Sequence, residues 1–127
     1  MRLLLDTHAL IWALGMVEKL PRAVIDLLSD PDNERWVSAV SAYEIEYKRD
    51  RNYVLGRLPR DLQAAAKVLN AEWLDVTPMH AGAAARLDLV HRDPWDRIIA
   101  AQAMAEGLVV VTRDPAIASM GAAVVWR

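Results

Sequence analysis

The chain alternates short apolar runs with longer segments of helical pattern, and this alternation constrains the fold more than any other feature of the sequence. Runs of four or five residues have the length and composition of β-strands. They cover residues 2–5, 35–38, 73–76, 108–112 and 123–126. Strands that are joined through helices lie parallel in one sheet, with right-handed crossovers. The pattern therefore predicts an α/β fold in three layers, α/β/α, with a central parallel sheet of about five strands.

Helical patterns fill the intervals between these runs. They are predicted over residues 8–14, 20–29, 41–51, 61–70, 81–87 and 94–106, with a helical turn at 115–120. Pro21 and Pro94 suit the first turn of a helix, and Gly107 suits a left-handed helix end. The basic segment 52–59 is expected to be a connection. The β-branched run at 108–112 is expected to be the central strand, buried on both faces.

Length and composition set limits on the class of protein. A chain of 127 residues that is 54% hydrophobic and 25% charged fits one globular domain, residues 1–127. The formal net charge of −2 gives no global basic field, so binding to a polyanion requires a local patch or a metal ion. No cysteine is present, and no apolar stretch approaches the length of a membrane span. A cytoplasmic protein without membrane contact is therefore expected.

Four carboxylates lie where an apolar run ends or a helix begins. They are Asp6, Glu44, Asp96 and Asp114. Ligands bind outside the carboxyl ends of the strands in parallel sheets, and all four positions are expected at that edge. If the four side chains meet there, a divalent cation is needed to neutralise them at pH 7.

Carboxylates are the ligands that Mg²⁺ and Mn²⁺ prefer, because these hard ions bind oxygen. An ion held among them activates water and polarises a phosphate, and a second ion stabilises the leaving oxygen. The pocket therefore points to metal-dependent chemistry on phosphates, with either one ion or two.

Each acid also has an ordinary structural interpretation. Ser41 and Glu44 have the spacing of a capping box, and Asp6 and Asp114 are suitable helix caps. Asp96 suits the positive end of a helix, and Asp93, directly before Pro94, is the better cap and a rival ligand. Capping alone does not require four such residues to gather at one sheet edge, whereas a metal site does.

Several segments taken together resemble the PIN-domain family, and specifically toxins of the VapC type. The resemblance covers nearly the whole chain and rests on LLLDTHALIWAL, SAVSAYEIEYK, HRDPWDRIIAAQA, VVVTRDP and the terminal VVW. It implies a PIN-like fold and a Mg²⁺- or Mn²⁺-dependent endoribonuclease, usually a homodimer, that is inhibited by a cognate VapB-like antitoxin. It also implies that Asp6, Glu44, Asp96 and Asp114 are the catalytic metal ligands, and that the substrate is RNA.

Basic residues near these acids are candidates for substrate contact. Lys48 follows Glu44 by four positions, so it lies on the same helix face and either orients Glu44, touches a phosphate or forms a plain helix pair. Arg97, directly after Asp96, is a second candidate. A basic strip formed by Arg49, Arg51, Arg57 and Arg60 is either a phosphate contact or a solvated face.

The remaining polar residues have structural interpretations. His8 is expected to be structural, and His80 and His91 have no partner motif. Glu46 departs from the usual small or apolar residue of the family and should point away from the pocket, because two positions turn a helix by about 200°.

Other classes of function compete with this hypothesis. A phosphoacceptor receiver domain has a similar size, but Asp6 is followed by Thr7 and His8 rather than by a second acid. A catalytically silent interaction module is disfavoured by the four intact acids. A structure-specific DNA nuclease could use the same pocket, so this alternative stays open.

Overall fold

The computed structural model describes residues 1–87 and 93–127, so His91 lies outside the described residues. The strands are β1 Arg2–Leu5, β2 Glu34–Ser38, β3 Ala71–Leu74, β4 Val109–Val111 and β5 Val124–Val125. The helices are α1 Thr7–Gly15, α2 Arg22–Ser29, α3 Ala39–Lys48, α4 Tyr53–Gly56, α5 Leu62–Val68, α6 Pro78–Ala85, α7 Pro94–Glu106 and α8 Pro115–Ser119.

The strands form one parallel sheet in the order β3-β2-β1-β4-β5, which confirms the predicted parallel arrangement. Leu4 of β1 is in register with Trp36 of β2 and with Val110 of β4. Strand β4 pairs with β1 on one side and with β5 on the other, so it is an interior strand as predicted, although β1 lies in the middle. Val110 and Val111 are fully buried, because β4 is covered on both faces.

Side chains alternate between the two faces of the sheet and divide the core into two layers. Leu3 and Leu5 pack into a cluster that includes Leu10 of α1. Leu4, which points to the other face, packs into a cluster that includes Ile99 of α7 and Ile117 of α8. Burial of successive residues on opposite faces is expected for a strand covered by helices on both sides. The predicted three-layer α/β/α fold is therefore confirmed.

Most boundaries differ from the predictions by one to three residues, and those of β3 and α3 have a clear local cause. Strand β3 begins and ends two residues earlier than predicted, because Asn70, with φ of 52°, turns the chain and Ala71 already pairs with Arg35. Helix α3 begins at Ala39 rather than at residue 41, since the Ser38 hydroxyl accepts a hydrogen bond from Val40 N–H at 3.1 Å.

The predicted connection 52–59 contains the short helix α4. The side chain of Asn52 caps this helix by accepting from Val54 N–H and Leu55 N–H. The basic segment is therefore more ordered than its glycine and proline residues suggested.

Helix α7 has the two ends that the sequence predicted. Asp93 caps its first turn, and Gly107 ends it with φ of 67°, a conformation that glycine adopts without strain. Nowhere in the described ranges is a helix long and apolar enough to cross a membrane. The cytoplasmic location stays a prediction.

Candidate active site

Asp6 links the end of β1 to the beginning of α1. It is 5% exposed, and its Oδ1 accepts a hydrogen bond from Ala9 N–H at 2.7 Å. Burial raises the pKa of Asp6 above its ordinary value, and the nearby charge of Asp114 adds to this effect. The Thr112 hydroxyl and the Ala9 N–H oppose the increase by hydrogen bonding to the carboxylate. Asp6 is thus a helix cap that also lies beside a second acid.

Glu44 lies in the second turn of α3, so the prediction that it occupies the first turn was wrong. Ser41 is not the helix cap, and the capping-box interpretation fails with it. The Ser41 hydroxyl instead contacts the Thr7 hydroxyl at 2.9 Å in the protein interior, which joins α3 to α1. Glu44 is only 7% exposed, and its Oε2 lies 2.7 Å from the Lys48 ammonium. Glu44 therefore does not cap α3.

Asp96 is the third residue of α7 and is partly buried. The pKa of Asp96 is raised to about 7, and desolvation by burial is the largest cause. The negative charges of Asp93, Asp114, Asp6 and Glu44 contribute to the same increase. Like charges act in this way only at short range. The four predicted acids therefore share one electrostatic environment.

Asp114 follows β4 and caps α8. Its Oδ1 accepts from Ala116 N–H at 2.9 Å, and its own N–H donates to the Thr112 hydroxyl at 3.0 Å. Asp6 and Asp114 line one cavity of about 330 Å³ together with His8 and Trp12. The same His8 and Trp12 border the adjacent cavity, of about 290 Å³, which Glu44 and Lys48 line. Asp6 and Asp114 thus border one hollow and Glu44 borders its neighbour, while Asp96 lines neither of these two.

Three of these acids lie at the start of a helix, where the partial positive charge of the backbone N–H groups stabilises carboxylates. Asp6 caps α1, Asp114 caps α8, and Asp96 lies in the first turn of α7. Asp6 and Asp114 are therefore helix caps that also line one cavity, while their role as metal ligands stays a prediction. Residues that cap helices have been brought together at one edge of the sheet.

The type of ligand fits Mg²⁺ or Mn²⁺, because carboxylate oxygens are the donors that these ions prefer. In the described part of the chain, no group of three or more acidic or histidine side chains is placed so that it could hold a metal ion. Magnesium is commonly bound through one or two carboxylates and several waters. Asp6, Glu44, Asp96 and Asp114 thus fit such an ion by chemistry and charge, with the carboxylates at electrostatic range from one another.

Asp93, the rival of Asp96, has a clear structural role. It is exposed, and its Oδ1 accepts from Trp95 N–H at 3.0 Å and from Asp96 N–H at 3.3 Å. Its charge also raises the pKa of Asp96. Asp93 therefore caps α7 and adds to the negative potential around Asp96.

The two candidate substrate-binding residues differ in their surroundings. Lys48 lies on the face of Glu44, as predicted, and its side chain is 41% exposed. Arg97 is buried, and its Nη2 donates to the carbonyl oxygens of Ala84 at 2.8 Å and Leu87 at 2.8 Å. Arg97 thus joins α7 to the end of α6, and its burial leaves its guanidinium little access to a substrate.

The predicted basic strip does not form as a unit, because Arg49 is buried. Its guanidinium donates to the carbonyl oxygens of Leu55 and Leu58 and pairs with Glu46 at 2.8 Å. The hydrogen bond from Arg49 lowers the pKa of Glu46, which accordingly does not join the acids of the site. Arg51 stays at the surface over the ring of Tyr47.

Sequence reasoning missed Thr112 and underrated His8. Thr112 is buried and hydrogen-bonds both Asp6 and the backbone of Asp114, so it connects two of the acids. The signal was a hydroxyl residue directly after the last apolar residue of β4. His8 is exposed, and its proximity lowers the pKa of Asp6.

His80 has partners that its sequence context did not reveal. It is fully buried, its Nδ1 accepts from Thr77 N–H, and its Nε2 lies 3.1 Å from Glu106. These contacts are structural, since they stabilise the start of α6.

Comparison with known families identifies the class of protein. The family model of the PIN domain matches residues 3–123. The chain therefore belongs to the PIN-domain family, as the sequence motifs predicted. Comparison with curated protein sequences gave no significant match.

Solved structures share the fold at low sequence identity. The chain is similar to one in VapBC2 from Rickettsia felis bound to a promoter DNA fragment, with a TM-score of 0.73, 16% identity and 98% of each chain covered. It is also similar to one in DNA-bound VapBC from Salmonella typhimurium, with a TM-score of 0.72, 20% identity and coverage of 100% and 99%. For FitAcB from Neisseria gonorrhoeae the TM-score is 0.64, with 20% identity and coverage of 96% and 95%.

Proposed function

We propose that this chain is a Mg²⁺- or Mn²⁺-dependent endoribonuclease and the toxin of a VapBC-like toxin–antitoxin pair. The observation that carries the proposal is the placement of Asp6, Asp114 and Glu44 around two neighbouring hollows, with Asp96 near enough that burial and the charges of these acids raise its pKa to about 7. A buried carboxylate among other negative charges is costly to ionise, and a bound cation removes this cost. Membership of the PIN-domain family and the fold shared with chains of VapBC complexes support the same function.

The candidate metal ligands in this proposal are Asp6, Glu44, Asp96 and Asp114, for one ion or two. One or two of these carboxylates would bind each ion directly, and waters would complete its coordination. A divalent ion held there would activate water for attack and polarise the scissile phosphate at neutral pH. The Thr112 hydroxyl and the Ala9 N–H fix the orientation of the Asp6 carboxylate. Lys48 holds Glu44 through its ammonium and leaves part of its own side chain exposed toward solvent, where a phosphate can reach it.

The partners in this proposal are RNA as substrate, a VapB-like antitoxin and a second copy of the chain. Two of the similar structures are VapBC complexes. The hollows beside the acids are open to the surface, so an inhibitor protein could cover them and block the site. A homodimer follows from the family resemblance and from the high apolar content.

Cleavage assays test the function. Purified protein, freed of any partner, is incubated with single-stranded RNA and with DNA of the same sequence, in Mg²⁺ or Mn²⁺ and in EDTA. We expect RNA to be cut only when the ion is present and DNA to stay intact. Cleavage that continues in EDTA would contradict the mechanism, equal cleavage of DNA would favour the DNA nuclease, and an inert protein would favour the interaction module.

A further inference from the structure

Three aromatic side chains form a cluster on the surface beside the acids. Tyr43 and Tyr47 of α3 stack with their ring centroids 5.9 Å apart and an interplanar angle of 12°. The ring of Trp95, at the start of α7, lies 6.3 Å from Tyr43 and 6.2 Å from Tyr47. We call Tyr43, Tyr47 and Trp95 the aromatic platform.

The two tyrosines of the platform, which both belong to α3, are exposed to solvent. Tyr43 is 60% exposed and Tyr47 is 51% exposed, while Trp95 is partly buried. A stabilising pair at positions i and i+4 of one helix explains the contact between the two tyrosines. Trp95 is anchored from beneath, because it also packs against the core cluster on that face of the sheet. The two tyrosines therefore supply the exposed aromatic surface, which is unfavourable without a partner.

Two cations lie over the rings of the platform. The Lys48 ammonium is 4.8 Å from the centroid of the Trp95 ring, and the Arg51 guanidinium is 4.9 Å from that of Tyr47. Aromatic rings alternating with cations form the surface on which proteins hold single-stranded nucleic acid, because rings stack on bases while cations contact phosphates.

The platform adjoins the acids through the chain itself. Tyr43 directly precedes Glu44, and Trp95 directly precedes Asp96. Lys48 joins the two features, since the same ammonium that lies over Trp95 pairs with Glu44 at 2.7 Å. A nucleotide stacked on the platform therefore lies next to the candidate metal ligands.

We propose that the aromatic platform binds unpaired bases of single-stranded RNA beside the scissile phosphate, with Lys48 and Arg51 contacting the flanking phosphates. This inference rests on the proposed ribonuclease function and names the surface of this chain on which the unpaired bases lie. Bases within a duplex are stacked on each other and cannot reach the rings. A second copy of the chain could also cover exposed rings, but the cations over them favour a polyanion.

Equilibrium binding tests the platform without requiring cleavage. Affinity is measured by fluorescence anisotropy in EDTA for a labelled 12-nucleotide RNA, its blunt duplex and an abasic strand of equal length. Wild-type protein should bind the single strand more tightly than the other two. Tyr43→Ala and Tyr47→Ala should each weaken binding of the single strand by roughly 5- to 150-fold, the range for loss of one stacked base. Binding of the duplex and of the abasic strand should change little.

Two control variants separate stacking from other effects. Tyr47→Phe keeps the ring and should bind as the wild type does. Tyr53 is an exposed tyrosine of the neighbouring helix α4, and the Arg57 guanidinium lies over its ring. The Tyr53→Ala variant should bind the single strand as the wild type does. The proposal is overturned if the wild type binds no strand, if it does not prefer the single strand, or if the Tyr43 and Tyr47 variants bind normally.

Sedimentation velocity and cleavage distinguish the remaining explanations. The Tyr43→Ala and Tyr47→Ala proteins should keep the wild-type sedimentation coefficient. A change from dimer to monomer in these variants would assign the platform to the second copy and reject the RNA contact. RNA binding that depends on the rings, without any cleavage, would support the platform and reject the ribonuclease function. Cleavage of RNA with an unaltered KM in Tyr43→Ala would support the ribonuclease function and reject the platform.

Discussion

The Asp93 carboxylate accepts a hydrogen bond from the backbone N–H of Asp96, with 3.3 Å between Oδ1 and N. The same carboxylate raises the pKa of Asp96 by its charge. Asp93 therefore stabilises the helix that carries Asp96 and destabilises the ionised form of that residue. This division of roles explains how two acids three positions apart can serve one site.

The first prediction concerns Asp93→Asn. Asparagine caps a helix about as well as aspartate, so α7 should stay intact while one negative charge is removed. The pKa of Asp96 should fall below about 7 in the metal-free protein. Carbon-13 NMR titration of the Asp96 carboxyl measures this shift. Asp61→Asn, which changes the cap of α5 in the same way, is the control and should leave the titration unchanged.

The second prediction concerns the pH dependence of stability without metal. The pKa of Asp96 is raised to about 7 in the folded protein, against roughly 4 in an unfolded chain. Protonated Asp96 is thus favoured by folding, and its stabilising contribution is complete below about pH 4 and is lost as the pH rises through 7. The raised pKa of Asp6 acts in the same direction.

Urea denaturation in EDTA at pH 6 and pH 8 measures this dependence. The free energy of unfolding should be lower at pH 8, and Asp96→Asn should reduce the difference between the two values. An equal difference in the wild type and in the variant would show that Asp96 does not titrate in this range.

The third prediction concerns the ion pair between Lys48 and Glu44. Lys48→Met leaves the buried Glu44 carboxylate without its cation, and we expect a loss of about 1–2 kcal/mol in the free energy of unfolding. Arg22→Met removes one partner of the exposed pair with Asp26 at the same helical spacing. This matched change should cost at most about 0.5 kcal/mol. Equal losses in the two variants would mean that Glu44 is solvated and not held by Lys48.

The fourth prediction concerns assembly. An apolar fraction of 54% in 127 residues and the family resemblance predict a homodimer with a two-fold interface. Analytical ultracentrifugation at tens of micromolar should give the mass of two chains. A mass of one chain at this concentration would reject the dimer.

The sequence predicted the sheet because its strands are short apolar runs between helices, and hydrophobic periodicity is a strong local signal. It failed for Ser41, where the spacing to Glu44 matches a capping box, but the hydroxyl makes a long-range contact with Thr7 instead. It placed β3 two residues late because Trp73, Leu74 and Val76 look like a strand, whereas pairing with β2 sets the register. Such contacts between distant segments cannot be derived from local pattern.

In the candidate site, too, local pattern predicted some residues, while those that depend on distant contacts were missed. Asp6, Asp96 and Asp114 were found because the ends of parallel strands and the starts of the following helices meet at one edge of the sheet. Thr112 was missed because its role depends on the positions of both Asp6 and Asp114. Burial of Arg97 was also hidden, since its partners are backbone carbonyls at the end of another helix.

The most direct test of the central claim is the change in Tm that Mn²⁺ produces at pH 8 in the wild type and in Asp96→Asn, with Asp93→Asn as the control. If Asp96 holds the ion with Asp6 and Asp114, Asp96→Asn without metal should melt at the wild-type temperature or higher, because repulsion is relieved. Addition of Mn²⁺ should then raise the Tm of the wild type and of Asp93→Asn, but not that of Asp96→Asn. An Asp96→Asn protein that melts below the wild type without metal and responds fully to Mn²⁺ would contradict the account and leave Asp96 as a helix-stabilising residue.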